Sequence, residues 1–217
     1  MDFRTLFEPR TMAVIGVSQN NERHAANVIY NKNLYRYPVK VYAVNPKGGE
    51  YYRQKIYRSL KEIPERVDLA VIAVRAEYVP SVLEECIECW VGGAAIISGG
   101  FAETGRTDLM DKLTALASKA DFPVIGPNCL GIYSPAFVDS FFLPSERMVR
   151  PVSGNIAIVS QSGGILVDQM VKFAGQGIGL SRAIGLGNKA VVNEIDMLNF
   201  FARDDMTEVI AFYIEGF

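Results

Sequence analysis

The sequence has little cysteine, a single histidine, no excess of basic residues and no long apolar run. Three cysteines in 217 residues do not make a disulfide framework. Lys and Arg number 22 against 24 Asp and Glu, a formal net charge of -2, so the broad basic field of a bulk nucleic-acid binder is missing. A local basic patch for phosphates is compatible with that balance. No apolar stretch approaches the ~18 residues that a membrane-spanning helix requires. Residues 1–10 carry Asp2, Arg4 and Glu8 with no apolar h-region, which argues against a secretory signal. The expected protein is cytoplasmic, with neither nucleic acid nor membrane among its partners.

What is present is core material. Apolar residues make up 49% of the chain and charged residues 21%, a balance that supports a packed interior rather than disorder. Short apolar runs at 12–17, 39–44, 67–74, 94–98 and 123–126 read as strands. Helical stretches at 25–35, 79–90 and 108–120 lie between them. Strands apolar on both faces, alternating with helices, predict a parallel sheet covered on both sides, an α/β doubly wound, Rossmann-like fold.

The alternation breaks from 133 to 154, where Pro135, Pro144 and Pro151 suggest a crossing between units. It restarts with strands at 155–160, 180–186 and 208–214 and helices at 165–173 and 194–202. Three strands are fewer than the about five or six of a complete doubly wound domain, so the second unit reads as partial, with an open edge that invites a partner or self-association.

In such sheets ligands sit at the carboxyl ends of the strands. Gly16-Val17-Ser18 leads toward a helix whose free N–H groups suit an anion, although an ordinary strand-to-helix turn looks the same. The G-x-G-x-x-G spacing of a dinucleotide fingerprint is missing. Where a nicotinamide-binding domain usually places an acid, this chain has Asn45 and then Lys47, between Pro46 and Gly48-Gly49. A cation there suits an extra ribose phosphate, as in coenzyme A or NADP, but also fits a solvated turn lysine. Ser98-Gly99-Gly100 and Gly126-Pro127-Asn128-Cys129 are further glycine-containing strand ends that let backbone approach a ligand.

Together the runs VNPKGGE, GGFAETG, GPNCLG, VSQSGG, GNKA and YIEGF, in that order, resemble the α-type segment of NDP-forming acyl-CoA synthetases. That family includes ADP-forming acetyl-CoA synthetases and, more distantly, the succinyl-CoA synthetase α subunit. The resemblance implies a CoA-binding Rossmann-like domain over 1–133, a linker over 134–154, and the first part of a flavodoxin-like ligase domain over 155–217. It implies a ligase that joins a small carboxylic acid to CoA at the expense of a nucleoside triphosphate, through an acyl phosphate and a phosphorylated histidine. Gly16, Ser18 and Lys47 would meet the nucleotide end of CoA, with Ser98 and Gly99 along its path. Asn128 and Cys129 would lie near the pantetheine arm. Ser160, Ser162, Gly163 and Gly164 would form a phosphate site at a helix N-terminus, and Glu215 would orient the histidine.

The same resemblance places that histidine downstream of YIEGF, beyond Phe217, and puts ATP, ADP and Mg on an ATP-grasp domain or subunit outside this chain. His24, at the opening of the first helix, is a helix-start residue by position. Ala25-Ala26 stand where the family's first phosphate turn often has glycine. Cys86 and Cys89 form a C-x-x-C, but acidic neighbours Glu84, Glu85 and Glu88 and the lack of a second Cys/His pair favour a plain helix over a metal or redox site. Two other functions fit parts of the pattern: a CoA- or acyl-CoA-sensing regulatory domain of an acyltransferase-type protein, and an NADP-dependent oxidoreductase.

Overall fold

The computed structural model describes residues 3–216. After a one-turn helix α1 (Arg4–Phe7), strand β1 (Thr11–Ile15) enters the middle of a seven-stranded sheet, buried at every position. The sheet also contains β2 (Lys40–Val44), β3 (Gly49–Tyr51), β4 (Gln54–Tyr57), β5 (Leu69–Ile72), β6 (Ala94–Ile96) and β7 (Val124–Ile125), in the order β3-β4-β2-β1-β5-β6-β7. All neighbours run parallel except β3 and β4. Helices α2 (Ala25–Arg36), α3 (Val79–Glu88) and α4 (Thr107–Lys119) are the crossovers. Because β2 lies on one side of β1 and β5 on the other, the order reverses there, which opens a crevice at their carboxyl ends.

The β3–β4 hairpin is absent from the sequence reading. Its two turn residues, Tyr52 and Arg53, both take positive φ (48° and 62°), the conformation a tight hairpin needs but one usually signalled by Asn-Gly.

The second sheet has the order β12-β10-β11-β8-β9, from β8 (Gly131–Ser134), β9 (Val138–Asp139), β10 (Ser153–Ser160), β11 (Leu180–Gly185) and β12 (Val209–Tyr213). Strands β10, β11 and β12 are parallel, with α5 (Gly163–Gly175) and α6 (Glu194–Phe201) between them. The stretch 134–154 is therefore more than a crossing. Its β9 pairs antiparallel with β8, and β8 with β11, so the hairpin extends the second sheet.

The two units are joined tightly. Asn188 N–H donates to the Pro127 carbonyl at 2.9 Å, and Ala190 N–H to that of Gly126 at 3.0 Å. Phe7 on α1 stacks on Phe200 of α6 at 5.2 Å between ring centroids. Buried Arg182 on β11 reaches Glu8 and lies 3.8 Å from Asp204. One apolar cluster runs from Leu6 and Met12 through Ile125 to Ile184 and Phe201, so the core crosses the boundary between the sheets.

Candidate functional site

The crevice at the reversal of strand order holds a cavity of about 370 Å³, lined by His24, Val74, Arg75, Ile97, Ser98 and Phe142 among others. Ile97 and Phe142 also line a second cavity of about 630 Å³ between the units. Asn128, Cys129, Ser162, Gly163, Gly164 and Glu215 all face this second space. The two cavities adjoin through these shared residues, one at the strand ends of the first sheet and the other at the N-terminus of α5.

On the turns beside the first cavity, several sequence-predicted residues are committed to the fold. Gly16 has φ +110°, and a Cβ there would lie 2.4 Å from the Ala73 carbonyl oxygen. Packing against β5 therefore accounts for the glycine. Ser18 is held through its backbone, which exchanges two hydrogen bonds with the Asn27 amide at 2.8 and 2.7 Å, while its hydroxyl accepts from Asn20 N–H at 3.3 Å. Asn45 ties two strand ends together, donating to the Val17 carbonyl and accepting from Lys47 N–H, both at 3.0 Å. Lys47 is exposed, and among the described residues nothing pairs with its ammonium. Gly16, Ser18 and Lys47 sit on adjoining turns but line neither cavity. His24 is the N-cap of α2, its Nδ1 accepting from Ala26 N–H at 3.3 Å.

Ser98 lines the first cavity while its hydroxyl donates to the Val74 carbonyl at 2.5 Å. Gly99 is exposed beside Asn128, whose Oδ1 would be 3.1 Å from a Cβ at 99. Asn128 takes φ 55°, and its amide donates to Asn188 Oδ1 at 3.4 Å. Glu103 accepts from the N–H groups of Gly100 and Phe101 at 2.5 and 3.2 Å, and from the Asn188 amide. Burial pushes the Glu103 carboxyl up, but the hydrogen bonds from Gly100, Asn188 and Phe101 outweigh it and hold its pKa below the ordinary value. Cys129 borders the second cavity, yet its thiol points into the protein toward the Ile96 carbonyl at 3.2 Å, and burial pushes its pKa up to about 12. It is no nucleophile at neutral pH.

In the second unit, β10 ends at Ser160 and α5 begins at Gly163. Ser160 is buried and donates to the Ser162 carbonyl at 2.7 Å, so it shapes the turn from within. Ser162 is the N-cap, accepting from Ile165 N–H at 3.4 Å. Gly163 and Gly164 occupy the first helical positions, whose N–H groups have no partner inside a helix. A Cβ on Gly164 would meet only Ser162 Oγ, at 4.0 Å, so the missing side chain leaves open cavity rather than relieving a clash. Free N–H groups at the positive end of a 13-residue helix, beside open space, are suited to an anion. Exposed Glu215 lines the same cavity.

The family model for the CoA binding domain matches residues 10–135, and that for the succinyl-CoA ligase like flavodoxin domain matches 153–217. The chain belongs to the CoA-binding family. Subunit alpha of ADP-forming acetate–CoA ligase I from Pyrococcus furiosus is 38% identical over 100% of this CoA-binding chain, which spans 47% of that protein. The ADP-forming acetate–CoA ligase I of Archaeoglobus fulgidus is 40% identical over 97% of the chain, which spans 30% of it. Among solved structures, the dinucleotide-forming acetyl-coenzyme A synthetase 1 of Ca. Korarchaeum cryptofilum, in complex with phosphate and ADP, superposes with a TM-score of 0.90 at 34% identity, covering 100% of this chain and 46% of that one. The CoA-binding chain thus matches the alpha portion of ADP-forming acetate–CoA ligases and spans about half their length or less.

Sequence reasoning missed several residues of the crevice: Arg75, Ile97, Phe142, Gln161 and Asn188. Asn188 belongs to the GNKA run and Gln161 to VSQSGG, so both motifs were visible. The contacts that give these two residues a place in the site were not.

Proposed function

We propose that this chain is the CoA-binding portion of an ADP-forming acyl-CoA ligase, which makes acyl-CoA from a small carboxylic acid, CoA and a nucleoside triphosphate. The observation that carries the reading is the pair of adjoining cavities, one at the first sheet's strand ends and one at the open N-terminus of α5, with Glu215 lining the second. An elongated thiol carrier with a phosphorylated nucleotide at one end suits two adjoining cavities of this kind. Exposed Arg75 lines the first cavity, Lys47 stands with its ammonium unpaired among the described residues on an adjoining turn outside both linings, and apolar Ile97 and Phe142 line both cavities. When bound, CoA supplies the thiol that receives the acyl group.

The chain's own residues then act by binding and orientation. The N–H groups of Gly163 and Gly164 and the dipole of α5 hold a phosphoryl group, worth roughly 0.3–1 kcal/mol to an anion at an exposed site and more when water is excluded. Asn128, whose amide donates to Asn188, lines the same cavity. Glu215 accepts from one ring nitrogen of a histidine supplied by sequence beyond Phe217, fixing the tautomer and leaving the other nitrogen as phosphoryl acceptor. ATP, ADP and Mg belong to an ATP-grasp domain or subunit that docks on this chain in the cytoplasm as part of an oligomer. Strand β12, at the sheet edge with half-exposed Val209, Phe212 and Tyr213, offers surface for such contacts.

The test is phosphoryl transfer in the assembled ligase, read by mass spectrometry after incubation with ATP. The expected phosphate is on a histidine outside these 217 residues, and Glu215→Ala cuts its formation while CoA affinity stays nearly constant. Phosphate on His24, or synthetase turnover by the 217-residue chain alone, overturns the reading.

A further inference from the structure

The turn Gly187-Asn188-Lys189 lies where the two units meet, and Gly187 and Asn188 line the second cavity. Gly187, at φ +58°, comes so near the first unit that a Cβ would be 2.4 Å from the Pro127 carbonyl oxygen and 2.5 Å from that of Asn128. From this anchor the next two side chains reach in opposite directions. Asn188 bonds Asn128 and Glu103 on the first unit. Lys189 crosses to the end of the second, where its Nζ donates to the Gly216 carbonyl at 2.6 Å and to Glu194 at 3.0 Å.

The segment that Lys189 grips is the one that carries Glu215. On its other side, Gln161 Oε1 accepts from Glu215 N–H at 3.0 Å and Gly216 N–H at 3.3 Å. Gln161 is itself fixed, since its N–H donates to the Tyr213 carbonyl at 2.9 Å, and it immediately precedes the N-cap of α5. The backbone around Glu215 is thus held by an acceptor from the phosphate turn and a cation from the GNK turn, while Glu215 lines the cavity. Lys189 is only 13% exposed, and its partner Glu194 9%, so water competes weakly for this pair. Lys189 also sits at φ 51°, a left-handed conformation that favours glycine or asparagine, and a lysine there is held by its surroundings.

We propose that Lys189 and Gln161 are positioning residues for Glu215, clamping the Glu215–Gly216 backbone over the N-terminus of α5 so that the carboxylate meets the acceptor histidine in register. The proposal rests on the reading of Glu215 given above. A misplacement of about 1 Å in such a group costs on the order of 100-fold in rate, so loss of either clamp residue shows in phosphoryl transfer and spares CoA binding.

Two measurements separate this role from a merely structural one. In the assembled ligase, Lys189→Met slows phosphohistidine formation about 10- to 100-fold with KM for CoA unchanged, and Lys189→Arg recovers part of the rate. In a Glu215→Ala background the same Lys189→Met costs less than about twofold, because the residue acts through Glu215. On the 217-residue chain, hydrogen exchange at the Glu215 and Gly216 amides accelerates in Lys189→Met and in Gln161→Leu, with the β10 amides unchanged. Full additivity of Lys189→Met with Glu215→Ala, or unaltered exchange at both amides, overturns the proposal. If Glu215→Ala leaves phosphorylation intact, the reading of Glu215 fails instead, and the exchange data alone then decide whether the clamp exists.

Discussion

Lys32 Nζ lies 2.8 Å from Asp139 Oδ1, and both side chains are almost wholly out of water. The pair ties α2 of the first unit to β9 of the second, and Arg150 joins Asp139 at 3.0 Å from the other side. Lys32 also donates to the Phe141 carbonyl at 2.5 Å, which fixes the segment leading to Phe142 in the crevice. A buried network therefore sets the wall of the site.

That network has a pH signature. Burial pushes the Lys32 ammonium down to about 8 from 10.5, against the pull of Asp139. An unfolded chain keeps this proton to about 10.5, so between those two values the unfolded state binds more protons and folding stability from this group rises with pH. In Lys32→Met that rise disappears. The variant also loses about 1–3 kcal/mol near neutral pH, less than an orphaned buried charge would cost, because Arg150 still pairs with Asp139. Denaturant melts at pH 7, 8, 9 and 10 check both outcomes, and a slope that persists in the variant contradicts the assignment to Lys32.

Gly164 separates stability from function. Its Cβ position is open, and alanine is the better helix former by about 0.5–1 kcal/mol, so Gly164→Ala leaves the fold equal or more stable. The added methyl enters the cavity where the phosphate is proposed to sit, so phosphohistidine formation in the assembled ligase falls at least about tenfold. A melt and a quench-flow trace on the same preparation decide it.

Thiol chemistry is expected at one position only. Burial pushes Cys86 far above, and Cys129 up to about 12. Cys89, at the end of α3, is the only cysteine that is not buried, although burial and nearby Glu85 raise its pKa too. Iodoacetamide on the native protein at pH 8 should label Cys89 slowly and spare the others, with no Cys86–Cys89 disulfide in cytosol-like thiol. Fast alkylation of Cys129 contradicts its placement.

How much of this was legible in the sequence follows from range. Strands β1, β2, β5 and β6 announce themselves because a parallel strand covered on both faces is a continuous apolar run. Strand β9 has only two residues, Val138 and Asp139, and takes its identity from pairing with β8, so 134–154 reads as a crossing. The glycines at 163 and 164 are visible in the sequence as a strand-to-helix turn, and the structure adds the open space beside it. The glycine at 16 is equally visible, but the carbonyl of Ala73 explains it without a ligand. The role of Lys189 depends on Gly216, 27 residues later, and no local pattern carries that contact.

The central claim is that the crevice receives CoA and that Lys47, on the adjoining turn after β2 and outside both cavity linings, meets its nucleotide phosphate, and calorimetry on the purified chain tests it most directly. CoA should bind and NAD should bind more weakly or not at all. Lys47→Glu should weaken CoA about 10- to 100-fold, as expected for losing a charge-assisted contact, and change 3′-dephospho-CoA much less. NAD binding tighter than CoA, or an equal loss for CoA and 3′-dephospho-CoA in the variant, contradicts the account.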